Sequence, residues 1–132
     1  MDKNINKLKA GDRIVLYGVA KNAMQVTKKY FELRTTAINI GCGHYRLDCF
    51  MIREDGTRIV DKWWNREKTI SLEWREDTYF TSVYGGTLMR FYINPKTPCE
   101  MVINNLKQAK RNLNKRIVDC QRYMFQVKEE DA

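Results

Sequence analysis

The sequence predicts an α+β fold, a small antiparallel β-barrel or strongly bent sheet of six to seven strands followed by one long C-terminal α-helix. Three observations predict it. Short runs rich in Val, Ile, Leu, Tyr and Phe recur from Arg13 to Ile93 with turn residues between them, the spacing of antiparallel strands in a sandwich or barrel. Two of the breaks, Asp55-Gly56 and Gly85-Gly86, are hairpin turn pairs. Beyond residue 94 the apolar spacing changes to helical steps of three and four and keeps them for roughly 30 residues. The chain has 132 residues, the size of one domain, and is read as a single domain over 1–132, mostly β over 1–94 and helical over 97–128.

Taken in order, residues 2–10 are polar and allow one helical turn before Gly11-Asp12 breaks it. Arg13–Ala20 (RIVLYGVA) is rich in β-branched and aromatic residues and reads as a buried strand. Gln25–Thr35 has the same character through Val26, Thr27, Tyr30, Phe31 and Leu33, against a competing helix start in which Asn22 and Gln25 form a capping box. Gly41 and Gly43 mark a turn. After it Tyr45, Leu47, Cys49 and Met51 alternate with Arg46, Asp48 and Phe50, and Asp55-Gly56 turns this strand back into Arg58–Lys62. Thr69–Arg75 alternates Ile70, Leu72 and Trp74 against Ser71, Glu73 and Arg75. Thr78–Tyr84 follows the polar break Glu76-Asp77, and Gly85-Gly86 leads into Thr87–Ile93.

The helix is announced by Thr97-Pro98-Cys99-Glu100. Thr accepts from a free backbone N–H at the N-cap, Pro at N1 lacks a donor where none is needed, and Glu at N3 reaches back to the cap. Val102, Leu106, Ala109, Leu113, Ile117, Cys120, Met124 and Val127 then recur on one helix face. Such a helix is about 45 Å long, longer than the barrel beside it, so part of it should overhang.

The order "GDRIVLYG", "VTKKYFELR", "YRLDCFMIREDGTRI", "LMRFYINPKTPCEMVINNLKQAKRNL" resembles small SH3-like barrel proteins of bacteriophages and mobile elements. The resemblance covers the layout of most of the chain. It implies an SH3-like barrel with a C-terminal helix and an accessory, binding role in a host cytoplasm, and it transfers no active-site residues.

Charge narrows the partner. There are 24 Lys plus Arg against 16 Asp plus Glu, a formal net charge of +8, which favours polyanionic partners. Residues 1–36 hold eight bases and three acids, residues 37–96 nine and eight, and residues 97–132 seven and five, so the excess is terminal. Ile103–Val118 alone has five bases and no acid. No stretch has the roughly 18 apolar residues of a membrane span, and the N-terminus lacks an apolar secretory core, which predicts a cytoplasmic protein with no membrane partner. The four cysteines, Cys42, Cys49, Cys99 and Cys120, form no CxxC pair and read as reduced thiols.

His44 is the lone histidine. With Cys42 and Cys49 it offers a thin case for zinc or a thiol nucleophile, and the spacing fits no zinc pattern. Gly41-x-Gly43 and Gly85-Gly86 lack the residues that complete a phosphate loop or dinucleotide fingerprint. Asp48, Asp61, Glu73, Glu76 and Asp77 lie among bases with no pair set apart for acid–base work. The expectation is therefore a non-enzymatic protein with no metal and no cofactor.

The binding candidates are aromatic and basic. Trp63-Trp64, with Arg66 and Lys68 beside them, have the composition of a single-strand binding surface. On a strand the two indoles would point to opposite faces, one into the core and one outward. Lys28 and Lys29, next to Tyr30 and Phe31, add bases in the first strands. Lys107, Lys110, Arg111, Lys115 and Arg122 lie on the helix side away from the apolar stripe, with Arg116 at its edge. The first expectation is binding of nucleic acid or a nucleotide through these residues. The alternative is a protein–protein inhibitor or adaptor acting on a host nucleic-acid-handling or defence protein, with the aromatics as its anchor. A homodimer through the C-terminal helix, its stripe paired with that of a mate, is compatible with either.

Overall fold

The longer strands, Arg13–Ala20, His44–Ile52 and Thr69–Arg75 among them, each have one apolar face, and a sheet curled onto itself buries those faces at once. A computed structural model describes residues 5–75, 78–84 and 86–131. The expected break at Glu76-Asp77 and the first glycine of Gly85-Gly86 lie outside the described residues. Ile5–Lys7 forms a single 3-10 turn, whose Ile5 is buried against the barrel core. The strands that follow are β1 (Arg13–Ala20), β2 (Thr27–Leu33), β3 (Ile38–Gly41), β4 (His44–Ile52), β5 (Val60–Asp61), β6 (Arg66–Glu67), β7 (Thr69–Arg75), β8 (Tyr79–Tyr84) and β9 (Thr87–Tyr92), and α1 (Lys96–Asp131) ends the fold.

Six strands close in the order β1-β2-β4-β7-β8-β9, every neighbour antiparallel, with β9 returning to β1. Closure depends on the β2–β4 ladder, where Phe31 faces Met51 and Leu33 faces Cys49. β3 is an extra strand on the first half of β4, with Ile38 opposite Arg46. This is the small SH3-like α+β barrel with one long C-terminal helix that the sequence predicts.

One hairpin differs from expectation. The Asp55-Gly56 turn forms, with Gly56 at φ 90° and Asp55 Oδ1 accepting from the Thr57 N–H at 2.9 Å and its hydroxyl at 2.7 Å. The returning chain leaves β4 after bridging Arg58 to Ile52, and β5 pairs with β6 instead, Val60 opposite Glu67. β7 takes the long edge of β4, with Leu72 opposite Leu47. Ile70, Leu72 and Trp74 supply an apolar inner face that Arg58–Lys62 lacks, so burial selects β7.

The interior is filled by side chains. Phe31 and Phe91 meet edge to face at 5.5 Å, and Trp74 and Phe80 pack tilted against each other with centroids 4.6 Å apart. Gly18 faces this core: a Cβ there would sit 2.7 Å from the Phe91 ring.

α1 begins slightly earlier than Thr97. Asn94 Oδ1 accepts from the Lys96 N–H at 2.9 Å, and the first helical bond runs from the Cys99 N–H to the Pro95 carbonyl at 3.0 Å. Thr97 and Pro98 therefore lie inside the first turn, where a proline still removes no helical bond. Pro98 and Val102 are buried, Val102 against Val19 and Tyr92, and Asn105 Nδ2 donates to the Ala23 carbonyl at 3.0 Å. Past that bond the helix is largely exposed through Lys128. Its 36 residues span about 54 Å, so the expected overhang is most of the helix. Among the described residues no helix is long and apolar enough to cross a membrane.

Gly18→Ala tests the packing limit. Phe91 is fully buried against Phe31 and has nowhere to move, so the added methyl should cost about 1–3 kcal/mol. Urea denaturation followed by circular dichroism reads this as a lowered midpoint with an unchanged slope, and an unaltered midpoint would refute the limit.

Candidate nucleic-acid interface

The tryptophans sit where the small β5–β6 hairpin turns. Asp61 Oδ1 accepts from the Trp63 N–H at 2.9 Å, and Asn65 takes φ 49°, a left-handed conformation that asparagine adopts more readily than most residues. These two features fix a turn over Lys62–Asn65. Neither indole enters the core, contrary to the expectation that a strand would send one inward, because the two-residue alternation does not operate in a turn. Trp63 is 93% exposed and Trp64 69%. The Arg66 guanidinium lies 5.5 Å from the Trp64 ring centroid, within cation–π range.

Beside Trp64 opens a cleft of about 690 Å³ whose walls include Arg34, Asp61, Arg66, Glu67 and Lys68. Both carboxylates are engaged by the protein itself. Asp61 holds the turn, and Glu67 accepts from Arg58 Nη1 at 3.2 Å through each oxygen. Arg34, Arg66 and Lys68 have no carboxylate partner among the described residues. The cleft thus presents an indole face and three cations without an ion pair among the described residues, beside the Asp61 carboxylate, which is hydrogen-bonded to a neutral N–H and keeps its charge.

Arg58 ties this hairpin to the barrel. Its Nη2 lies 2.8 Å from Glu32 Oε2 on β2, Nη1 reaches Glu67 on β6, and its guanidinium lies 3.8 Å from the Phe50 ring centroid on β4. Glu32 and then Glu67 raise its pKa above the ordinary arginine range, keeping the charge that the pairing needs. Arg34 approaches the same Phe50 ring at 5.3 Å. Sequence reasoning missed Arg34, Phe50 and Arg58. The signal for Arg34 was present, because Lys28, Tyr30, Glu32 and Arg34 share one period-2 face.

The other sequence candidates lie elsewhere. Lys28 is exposed on β2, 5.5 Å from the Tyr30 ring, and its hydrogen bond to Tyr30 raises its pKa. Lys29 is half-buried on the opposite face of the strand, so the two lysines do not form one patch. Lys107, Lys110, Arg111, Lys115 and Arg122 are exposed along α1, and none of them lines the cleft.

The thiol candidates separate in the same way. β4 sends Cys49 into the core and His44 to the opposite face, while Cys42 sits in the β3–β4 turn at φ 52°. Burial pushes the Cys49 thiol up to about 12, with Asp48 adding to the shift, so it stays protonated at neutral pH. The chain matches no protein-family model, no curated protein and no solved structure.

Thiol titration checks this placement. Cys42, Cys99 and Cys120 are exposed and should react with a disulfide reagent in the native protein, with Cys49 following only after denaturant is added. Four equivalents released from folded protein would contradict the buried position of Cys49.

Proposed function

We propose that this protein is a binding protein for single-stranded nucleic acid. Bases stack on Trp63 and Trp64, while Arg34, Arg66 and Lys68 hold the adjoining phosphates. The observation that carries the reading is the pair of exposed indoles on a hydrogen-bonded turn beside three cations that have no carboxylate partner among the described residues. Exposed tryptophans lose the hydrophobic gain of burial, and stacked bases restore it. Stacking needs an open base face, which a duplex hides, so the preferred ligand is single-stranded. A mononucleotide engages one indole and few of the cations, and binds more weakly than a strand. The bases of α1 add a positive field that draws the polyanion in and makes association sensitive to salt.

The same exposed Trp63, Trp64 and Arg66 also have the composition of an anchor for a pocket on a protein target, which supports the inhibitor or adaptor role as a second reading. Fluorescence anisotropy with a labelled oligothymidine separates the two. Trp63→Ala and Trp64→Ala should each weaken binding about 5- to 150-fold, from the roughly 1–3 kcal/mol that stacking contributes per base. Replacing Arg34, Arg66 and Lys68 with Glu should flatten the salt dependence by about 0.7 logarithmic units per lost phosphate contact. Tryptophan variants that bind as tightly as the parent, or a parent that binds no strand at low salt, would overturn the nucleic-acid reading and leave the protein anchor.

A further inference from the structure

The cleft beside Trp64 holds one acid whose charge its hairpin does not need. Asp61 Oδ1 accepts from the Trp63 N–H at 2.9 Å, a side-chain turn that asparagine makes as well as aspartate. Asn39 makes the same turn to the Gly41 N–H at 2.8 Å, and Asn94 to the Lys96 N–H at 2.9 Å. Arg66 is opposite Asp61 in the β5–β6 ladder, yet its guanidinium lies 5.5 Å from the Trp64 ring centroid and forms no ion pair with the carboxylate. Asp61 Oδ2 is therefore left with no hydrogen-bond or ion-pair partner among the described residues, on a side chain that lines the cleft.

A carboxylate repels phosphate, so among Arg34, Arg66 and Lys68 it serves another part of a ligand. On the reading that a single strand binds here, that part is the base. A base stacked on Trp64 turns its edge to the cleft wall, and in a single strand that edge has no pairing partner. The cleft, about 690 Å³ with Met51 and Val83 in its lining, has the size of small-molecule sites and admits one base with its sugar.

An ionised carboxylate only accepts hydrogen bonds. Guanine carries two neighbouring donors on its pairing edge, N1–H and the N2 amino group, which a carboxylate takes without meeting a lone pair. Adenine and cytosine offer an amino group beside a ring-nitrogen acceptor, and thymine or uracil one N–H between two carbonyls. Each of these sets a lone pair against the acid. We propose that Asp61 is a specificity-determining residue that selects guanine for the base position against Trp64.

Fluorescence anisotropy on the intact protein tests this with labelled oligothymidine and the same strand carrying isolated guanines, adenines or cytosines. The guanine strand should bind at least about fivefold more tightly than the other three, the lower end of what a two-bond base contact gives. Asp61→Asn keeps the acceptor for the Trp63 N–H and turns the free acceptor into a donor. The guanine preference should then vanish, while oligothymidine binds as tightly as before or more so. Equal affinity of the parent for all four strands, with binding still weakened by Trp64→Ala, overturns the guanine assignment and leaves strand binding standing. A guanine preference that survives Asp61→Asn overturns the part given to Asp61, and a variant that loses oligothymidine as well assigns its carboxylate to the turn alone. A parent that binds none of the strands overturns both readings. Guanosine monophosphate, added as competitor, should need far higher concentrations than the unlabelled guanine strand, and displacement at equal concentration overturns the strand as the source of the base.

Discussion

The constraint on which the structure depends is the volume inside a six-stranded barrel. Phe31, Phe80 and Phe91 with Leu16, Leu33, Leu47 and Leu72 are fully buried in the interior, and at Gly18 of β1 the wall gives way to the Phe91 ring. Barrels of about eight strands can hold a small ligand, whereas this one is closed by its own side chains. Any binding chemistry must therefore lie outside: on the sheet face, on the β5–β6 hairpin, or on the helix. α1 docks on the outside of the barrel through Pro98, Met101, Val102 and the Asn105 bond, within its first three turns.

Charges on the sheet are arranged in the same economical way. Glu32 lies between Arg13 and Arg58, Arg46 pairs with Asp48, and Arg75 with Glu73. These exposed pairs add little stability each, yet they neutralise the sheet locally. The positive excess lies in the first 36 residues, from which Arg34 reaches the hairpin cleft, and along the projecting helix. Arg58 has the further part of joining three strands through one guanidinium, so the position of the tryptophans is inherited from β2 and β4 rather than from a short hairpin that would be marginal alone.

Strands with strict alternation were legible because burial enforces the pattern: Leu47, Cys49 and Met51, or Ile70, Leu72 and Trp74, allow one inward face and one register. β3 was not legible. Its four residues, Ile38–Gly41, end in glycine, and what recruits them is the edge of β4, a tertiary fact. The partner of β4 was misassigned for a related reason. A turn signal at Asp55-Gly56 fixes the reversal of the chain but not what the returning segment pairs with, and that is decided by which segment has apolar side chains to bury. At the candidate site, residue types identified Trp63, Trp64, Arg66 and Lys68, but their geometry was misjudged because a strand rule was applied to a turn. Asp61, two residues before Trp63, and Asn65 after Trp64 were the turn-forming signals that should have overridden it.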